Sequence, residues 1–363
     1  MKIILLILAV LFTACKERNV VNNDTNDFPI LKIVKTEHQS IENSDVDWRN
    51  VPRIKCASFA NDTNLWIVTA KEGKVLVLDD DGENWRTFWE GNAACIDFLD
   101  QNNGWIVDNA NRIWQTSDSG KTWNERVVNV TLSSVIKIKF MDLSNGWILD
   151  AFNLFFTKDG GRTWEASLSY RNKPLYGQPG DLYSLNSQIV WSCDSKGWVY
   201  GTENQGEKWF AKRVIKTNSS LCDIFFINQD VGWYSSGIQQ FFSTVDRGRT
   251  WNKITSLPED FEVRSTFWFD AEEGWLAGFF HSKTDQSPRF GVGSLLHTIN
   301  GGKTWTSFEI EGKNPFFEEI HFFNTESGWL ISRDSIYVTR NGGKNWYLSL
   351  NLPPIQEIQN SNK

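Results

Sequence analysis

An octet that ends in tryptophan recurs through most of the chain at a spacing of about 40 residues. The first clear copy reads TSDSGKTW at residues 116–123, and others follow at residues 157–164, 202–209, 244–251, 298–305 and 339–346. A weaker copy, LDDDGENW, occupies residues 78–85, and the Trp-to-Trp spacings are 38, 41, 45, 42, 54 and 41. A period of about 40 is the length of a four-stranded propeller blade. One such unit cannot bury its faces alone, so the repeat predicts a ring of stacked units.

A second signal keeps the same phase. Gly-Trp pairs begin at Gly104, Gly146, Gly232, Gly274 and Gly328, and an aromatic residue stands seven positions before each tryptophan. The unit around Gly104 divides into CIDFL, GWIVD, RIWQT and TWNERV, which are short runs of β-forming residues bounded by Asn, Asp or Gly. We therefore predict an all-β fold over residues 46–352, a seven-bladed β-propeller of four-stranded antiparallel blades. Either FPILKIV (28–34) or VDWRNV (46–51) is a candidate for an additional strand in the last blade.

The chemistry of the octet indicates a hairpin turn between the third and fourth strands. Its Asp or Asn can accept backbone N–H bonds across the turn, its glycine permits the positive φ of a bulged hairpin, and its tryptophan can pack between sheets. A phosphate loop would need Gly-x4-Gly-Lys-Ser/Thr before a helix, and a calcium loop a closing Glu. Neither occurs consistently. The predicted turn residues are Asp118, Gly120, Trp123, Asp159, Gly161, Trp164, Asn204, Gly206, Trp209, Asp246, Gly248, Trp251, Asn300, Gly302, Trp305, Asn341, Gly343 and Trp346.

The N-terminal residues have the pattern of an export signal. Lys2 precedes an apolar run over residues 3–12, which is too short for a bilayer core of about 30 Å. Thr13, Ala14 and Cys15 then resemble the lipobox of a bacterial lipoprotein signal. That resemblance implies removal of residues 1–14, lipidation of Cys15 and a polar tether over residues 15–45. The alternative is an ordinary secretory signal with an incidental cysteine. Residues 353–363 are predicted to be a C-terminal tail.

The cysteines and histidines do not form a recognisable site. Cys56, Cys95, Cys193 and Cys222 are far apart in the sequence, although Cys56 and Cys95 occupy similar positions in adjacent units. An exported protein could form disulfides, but the sequence does not fix the pairing and we expect buried free thiols. The four histidines are scattered, so we predict no metal site and no cofactor. A net charge of -7 argues against a nucleic-acid partner.

The octet matches the Asp-box, or BNR repeat, of sialidases and related propellers. Its combination with an aromatic strand and Gly-Trp most resembles the photosystem II stability and assembly factor-like propellers, over residues 53–346. That resemblance implies a non-catalytic envelope propeller that binds other proteins during assembly. The family often has Gly three residues after the Gly-Trp tryptophan. Asp108, Asp150 and Asp194 take that place in three successive units, while Gly278 keeps the family form.

Partner binding is predicted on the face made by the second-to-third strand loops and the blade-to-blade loops. Two long segments there, residues 168–182 and 278–293, mix aromatic and basic groups that suit an acidic or carbohydrate partner. Alternatively, the two segments are solvent-exposed loops that bind no partner. The candidate partner-binding residues are Tyr170, Arg171, Lys173, Tyr176, His281, Lys283 and Arg289.

A glycan-processing or glycan-binding propeller is the alternative function. A glycosidase needs two carboxylates roughly 5–9.5 Å apart, and Asp108, Asp150 and Asp194 should lie at matching heights on adjacent blades. The same residues can instead cap strand-end turns. A sialidase would also need an arginine cluster, for which the candidates are Arg53, Arg112, Arg264 and Arg333.

Weighing these features, we predict a lipid-anchored scaffold of the bacterial cell envelope, at the outer membrane or cell surface. Its partners are envelope proteins or glycans.

Overall fold

The computed structural model describes residues 30–31, 53–60, 64–70, 72–78, 85–89, 91–126, 128–170, 177–219, 221–281, 292–310 and 316–351. Several sequence predictions concern residues outside these ranges. They are the signal, Cys15 and most of the tether, VDWRNV, the turn of LDDDGENW, the C-terminal tail, and the loop residues Arg171, Lys173, Tyr176, Lys283 and Arg289.

The described residues form strands and no helix. In chain order the strands are β1 (Ile30–Leu31), β2 (Ile54–Phe59), β3 (Leu65–Thr69), β4 (Val75–Leu78), β5 (Trp85–Trp89), β6 (Ala93–Phe98), β7 (Gly104–Asp108), β8 (Ile113–Thr116), β9 (Asn124–Arg126), β10 (Lys137–Phe140), β11 (Gly146–Leu149), β12 (Asn153–Thr157), β13 (Glu165–Ser169), β14 (Pro179–Ser184), β15 (Val190–Asp194), β16 (Trp198–Thr202), β17 (Phe210–Arg213), β18 (Asp223–Phe226), β19 (Gly232–Ser235), β20 (Phe241–Thr244), β21 (Asn252–Lys253), β22 (Phe261–Trp268), β23 (Gly274–Phe280), β24 (Val292–Thr298), β25 (Thr306–Ile310), β26 (Phe317–Phe322), β27 (Gly328–Ser332), β28 (Ser335–Thr339) and β29 (Tyr347–Asn351).

Strands β2 to β29 make seven antiparallel sheets of four sequential strands each, which are the seven blades. The first strand of each blade is the innermost, and matching positions on adjacent inner strands are in contact. Asp97 of the second blade bonds Lys139 of the third, and Lys137 of the third bonds Asp181 of the fourth. The inner strands therefore run in the same direction around a central channel. The predicted seven-bladed β-propeller is confirmed.

The aromatic and Gly-Trp signals form one packing unit at each blade junction. Trp105 of the second blade stacks on Phe140 of the third, with ring centroids 3.6 Å apart. Phe140 also meets the octet tryptophan of its own blade, Trp164, edge-on at 6.0 Å. Glycine precedes the second-strand tryptophan because a Cβ at Gly146 would lie 2.7 Å from the Phe140 ring. Large aromatic surfaces buried in this way stabilise the ring of blades.

Each of the six described octets forms the same turn, which we call a box turn. In the second blade the Thr116 hydroxyl accepts the N–H of Gly120 at 2.9 Å, and Asp118 Oδ1 accepts the N–H of Thr122 at 2.8 Å. Gly120 has a φ of 78°, and Ser119 before it has a φ of 61°. The residue before the glycine has a positive φ in all six box turns, a feature that the sequence analysis did not identify. These residues are Ser119, Gly160, Gln205, Arg247, Gly301 and Gly342.

The last blade is complete without an N-terminal strand. Ile30 and Leu31, the described part of FPILKIV, pair in parallel with β25 and form a fifth strand on the sixth blade. The predicted addition of this segment to the last blade is therefore wrong. The first and last blades meet through a backbone bond from Ile54 N to Arg333 O, at 2.7 Å, and through apolar packing. The buried residues of that packing are Leu65, Ile67, Leu78, Trp329 and Ile336.

Two disulfides join adjacent blades. Cys56 of β2 is bonded to Cys95 of β6, and Cys193 of β15 is bonded to Cys222, which directly precedes β18. The expectation of buried free thiols is wrong. The sequence separations are 39 and 29, so the pairs meet only because blade stacking brings their Cα atoms to 5.4 and 6.4 Å. Such distances are those of ordinary disulfides.

Candidate partner-binding face and channel

The strand order defines two faces of the ring. The second-to-third strand loops and the blade-to-blade connections lie on one face, which we call the loop face. The box turns and the first-to-second strand loops lie on the other, which we call the box face. Inner strands begin at the loop face, so the residues at their start surround the channel mouth there.

Two of the sequence-predicted partner residues lie within the described ranges. Tyr170 is only 2% exposed, and its hydroxyl is 2.5 Å from Ser192 Oγ. Burial raises the pKa of the Tyr170 hydroxyl above its usual value. The side chain is part of the core, so the prediction that Tyr170 binds a partner is wrong. His281 is partly exposed at the loop face, and its Nε2 lies 2.8 Å from Glu262 Oε2.

Charged side chains of the sixth and seventh blades converge at the channel mouth. Arg264 Nε and Arg333 Nε lie 3.0 and 3.1 Å from the two carboxylate oxygens of Glu318. The Arg333 guanidinium also lies 4.5 Å from the centroid of the Phe316 ring. We call Glu262, Arg264, Phe316, Glu318 and Arg333 the mouth cluster. The sequence named Arg264 and Arg333 as members of an arginine cluster, and the structure brings these two together.

Arg112, another member of that proposed cluster, does not join them. Arg112 Nε bonds Asp108 Oδ2 at 2.7 Å on the second blade. Arg53 is exposed at the start of the first blade, where its carbonyl accepts the N–H of Ala70. Arg53 lies beside Arg333, because the N–H of the next residue, Ile54, bonds the Arg333 carbonyl at 2.7 Å.

The carboxylates of Asp108, Asp150 and Asp194 are buried and are saturated by nearby donors. Asp108 Oδ1 accepts the N–H groups of Ala110 and Arg112, both at 2.9 Å. Its Oδ2 accepts Arg112 Nε and the indole N–H of Trp114. A carboxylate that caps its own turn in this way has no oxygen directed at a substrate, so the geometry supports capping over catalysis.

The other two members of the row have the same arrangement. Asp150 Oδ1 accepts the N–H groups of Phe152 and Asn153, and its Oδ2 accepts that of Ser133. Asp194 Oδ1 accepts two backbone N–H groups, and its Oδ2 accepts the Tyr200 hydroxyl at 2.8 Å. Burial raises the pKa of Asp194.

Hydroxyl residues take the same capping position in other blades, which the sequence analysis missed. The Thr69 hydroxyl of the first blade accepts the N–H of Lys74 at 3.1 Å. In the seventh blade the Ser332 hydroxyl accepts the N–H of Ser335 at 3.0 Å. The signal was present in the sequence, because Thr69 and Ser332 stand three residues after the second-strand tryptophans.

Seven inner-strand residues, five of them polar or charged, lie at one level around the channel, which we call the upper ring. Each lies two residues before the position that pairs with the second-strand tryptophan. Its members are Cys56, Cys95, Lys137, Asp181, Asp223, Ser265 and Glu319. Lys137 Nζ bonds Asp181 Oδ1 at 2.7 Å, and Asp223 Oδ2 accepts the N–H of Thr266 in the next blade at 2.9 Å.

Burial and neighbouring charges shift the pKa values of Asp223, Glu319 and Lys137 in the upper ring. Burial raises the pKa of Asp223 well above its usual range, and the nearby negative charge of Asp181 adds to this effect. Burial also raises the pKa of Glu319. Burial alone would lower the pKa of Lys137, but the contact with Asp181 raises it above the usual value. Lys137 therefore stays positively charged, and it lies near Asp223 and Glu319, whose ionisation is disfavoured by burial.

A second ring, the lower ring, lies one step nearer the box face. Its members pair directly with the second-strand tryptophans and are Ser58, Asp97, Lys139, Tyr183, Phe225, Phe267 and His321. Four consecutive blades supply aromatic rings in contact, with centroid distances of 5.1 to 5.4 Å from Tyr183 to His321. Burial, followed by the charge of Lys139, lowers the pKa of His321 to about 3.

The described residues include no group of three or more His, Cys, Asp or Glu side chains that could hold a metal ion. They also include no helix long and apolar enough to cross a membrane.

Comparison with known protein families gives a match over most of the chain. The family model described as "Photosynthesis system II assembly factor YCF48" matches residues 88–214 and 212–360. A similar curated protein is the "Photosystem II assembly lipoprotein Ycf48" of Prochlorococcus marinus (strain MIT 9312), which is 27% identical over 293 residues. That alignment covers 68% of this chain and 85% of the relative. These proteins are named as assembly factors and not as enzymes.

Solved structures show the same fold in proteins of different function. The structure titled "YCF48 bound to D1 peptide" aligns with a TM-score of 0.63 at 18% identity, over 85% of this chain and 99% of that one. A GH74 xyloglucanase from Xanthomonas campestris aligns with the same TM-score at 11% identity, over 83% of this chain and 55% of the enzyme. At these identities the likeness shows the fold alone.

Proposed function

The chain belongs to the family described as photosynthesis system II assembly factor YCF48, and on that premise we propose that it is a lipid-anchored assembly scaffold. The propeller binds a protein segment at its loop face, on the extracytoplasmic side of a bacterial membrane. It performs no catalysis. The two relatives introduced above support these points separately, one as a named lipoprotein and one as a protein solved with a peptide.

The mouth cluster is the observation that carries the proposed binding site. It places two guanidinium groups, two carboxylates and an aromatic ring together at the channel mouth. Arg333 keeps 37% and Glu318 28% of their side chains exposed, so both can exchange their present contact for one with a partner. Arginine and aromatic groups at a rigid mouth are typical of residues that dominate the binding energy of protein interfaces.

The saturated carboxylates support the non-catalytic part of the proposal. Asp108, Asp150 and Asp194 are at most 2% exposed, and all their oxygens accept local hydrogen bonds. A general acid or nucleophile needs an oxygen within reach of the substrate. The row therefore supports a structural role for these residues.

The disulfides support an extracytoplasmic location. Both cross a blade junction, and disulfides persist in oxidising compartments such as the periplasm or the cell surface. The lipobox resemblance at Cys15 and the lipoprotein name of the relative point in the same direction. The outer membrane or the cell surface is the location we propose.

Affinity recovery from solubilised membranes tests the binding site. The tagged full chain should recover a discrete protein partner, and Arg333→Ala should reduce that recovery at least tenfold because it removes an exposed interface arginine. Arg249→Ala is the matched control, since Arg249 is an exposed, ion-paired arginine on the box face. Equal recovery by both variants, with unchanged thermal unfolding, would contradict a partner site at the mouth cluster.

A further inference from the structure

We infer that the box face of the fifth and sixth blades rests against the surface of the membrane that holds the N-terminal lipid. The loop face then points away from the bilayer. This orientation rests on the proposed lipid anchor and goes beyond it, because an anchor alone leaves a propeller free to present any surface to the membrane.

The direction in which the chain enters the propeller is the first argument. β25 begins directly after the box turn of the sixth blade and so runs from the box face towards the loop face. β1 pairs with β25 in parallel, with Ile30 opposite Glu309 and Leu31 opposite Ile310. β1 therefore runs the same way, so its N-terminal end at Ile30 is the end nearer the box face.

The length of the tether is compatible with an approach from the box face. Cys15 and Ile30 are separated by 14 residues, which reach at most about 46–50 Å when fully extended. Glu309 lies four residues beyond Trp305, which corresponds to about 13 Å of strand. A lipid on Cys15 can thus lie in a bilayer below the box face.

The side chains on the box face supply the second, independent argument. The second residue of the box turn is apolar in the fifth and sixth blades only, where Val245 is 71% and Ile299 55% exposed. In the other four described box turns this residue is polar or charged, namely Ser117, Lys158, Glu203 and Arg340. Val245 and Ile299 thus lie on adjacent blades, one of which carries β1. Leu143, which is 54% exposed, lies on the same face in the first-to-second strand loop of the third blade.

The charges on this face indicate which kind of membrane contact to expect. Arg247 is paired with Glu203 and Asp230, and Arg249 with Glu203. The first-to-second strand loop of the sixth blade adds acidic residues, including Glu273. Because both signs are present, the contact should depend on Val245 and Ile299 and not on anionic lipid. Two side chains bind a bilayer weakly, but a tether makes that contact intramolecular and so raises its effective concentration.

A fluorescence-quenching experiment tests the orientation independently of lipidation. Residues 16–363 carry an N-terminal hexahistidine tag in place of Cys15 and are held on phosphatidylcholine vesicles that contain a nickel-chelating lipid. The four remaining cysteines are in disulfides, so one introduced cysteine is the only free thiol. Bimane is attached to Val245→Cys, Ile299→Cys or Ile238→Cys. Ile238 is the matched control, because it is 41% exposed on the same blade as Val245 but on the loop face.

We expect doxyl-labelled phosphatidylcholine to quench bimane at positions 245 and 299 at least twofold more than at position 238. Ile299→Asp should lower the quenching at position 245, and 0.5 M salt should leave it unchanged. Equal quenching at positions 245 and 238 would overturn the orientation. So would self-association of the vesicle-free protein that Val245→Asp abolishes, because a second copy would then cover these residues. Mass spectrometry of the native N-terminal peptide tests the acylation of Cys15 as a separate question.

Discussion

The box turns and the channel rings both use side-chain oxygens to accept backbone N–H groups, but over very different distances along the chain. In a box turn Asp159 accepts the N–H of Thr163, four residues away. In the channel Asp97 accepts the N–H of Phe140, 43 residues away on the next blade. The first bond shapes a hairpin, and the second joins two sheets.

The two regions also differ in how uniform they are. All six described box turns make the same two bonds, and Asn204, Asn300 and Asn341 replace Asp because an amide oxygen accepts the same N–H. The junctions of inner strands differ from blade to blade. Ser58 accepts the N–H of Phe98, Asp223 that of Thr266 and Ser265 that of Ile320. The hydrogen bonds within a box turn require the same residue types at the same spacing, so the turn repeats from blade to blade. A blade junction requires only a side-chain acceptor that is long enough to reach an N–H of the next blade.

The largest expected effect on stability comes from replacing the glycine of a box turn. The replacement separates two contributions: the positive φ of the glycine and its close contact with the neighbouring blade. Gly343→Ala should lower the free energy of unfolding by about 2–5 kcal/mol, since its φ is 77° and its Cβ would lie 2.6 Å from the Trp275 ring of the preceding blade. The matched change Gly161→Ala has a φ of 87° but no Cβ contact closer than 3.5 Å, so it should cost about 1–2 kcal/mol. Urea titration measures both. Equal losses of unfolding free energy would show that contact with the neighbouring blade adds nothing to the effect of the positive φ.

The next effect compares the carboxylates of the two regions. Asp97→Ala should lower the free energy of unfolding by about 2–3 kcal/mol, because it leaves the buried N–H of Phe140 without an acceptor and Lys139 without its partner. Asp159→Ala should cost only about 1 kcal/mol, since water can satisfy its exposed turn. Asp97→Asn, which keeps an acceptor, should fall between the two. A larger loss in the box turn would contradict this ranking.

Acid stability tests the junction between the first and last blades, where His321 stacks on Phe59 at 4.6 Å. The pKa of His321 is lowered to about 3, so between pH 6.5 and 3 the unfolded chain binds a proton that the folded chain excludes. Stability should therefore fall with decreasing pH by at most about 1.4 kcal/mol per unit. His321→Phe should remove this part of the slope while keeping the stack. Parallel profiles of the variant and the parent would show that His321 is not the cause.

The smallest expected effect on stability is that of replacing Asp223 with asparagine. Its raised pKa means that the fold disfavours the ionised carboxylate, a penalty that is absent below about pH 4 and grows as pH rises through the folded pKa. Asp223→Asn should thus be at least as stable as the parent at pH 7, because the amide oxygen still accepts the N–H of Thr266. The advantage should vanish at pH 3.5. Thermal unfolding at the two pH values measures it, and a lower stability at pH 7 would refute the assignment.

The candidate site could be predicted only in part. Arg264 and Arg333 were identified because they stand near strand ends on one face, but their convergence on Glu318 depends on the angle between blades. Tyr170 was misassigned because a long loop follows it, whereas its ring packs edge-on against Tyr200 of the next blade. Loop length indicates where exposed residues begin only to within one or two positions.

The sequence by itself determined the repeat, the number of blades and the box turns, since each of these depends on residues within about 40 positions of one another. The tertiary structure decided the rest: the pairing of Cys56 with Cys95, the place of β1 on the sixth blade, the convergence of the mouth cluster and the titration of the channel. The reason is physical. A turn is specified by its own backbone and neighbouring side chains, whereas contacts across blades form only when the stacked ring fixes which residues share a level.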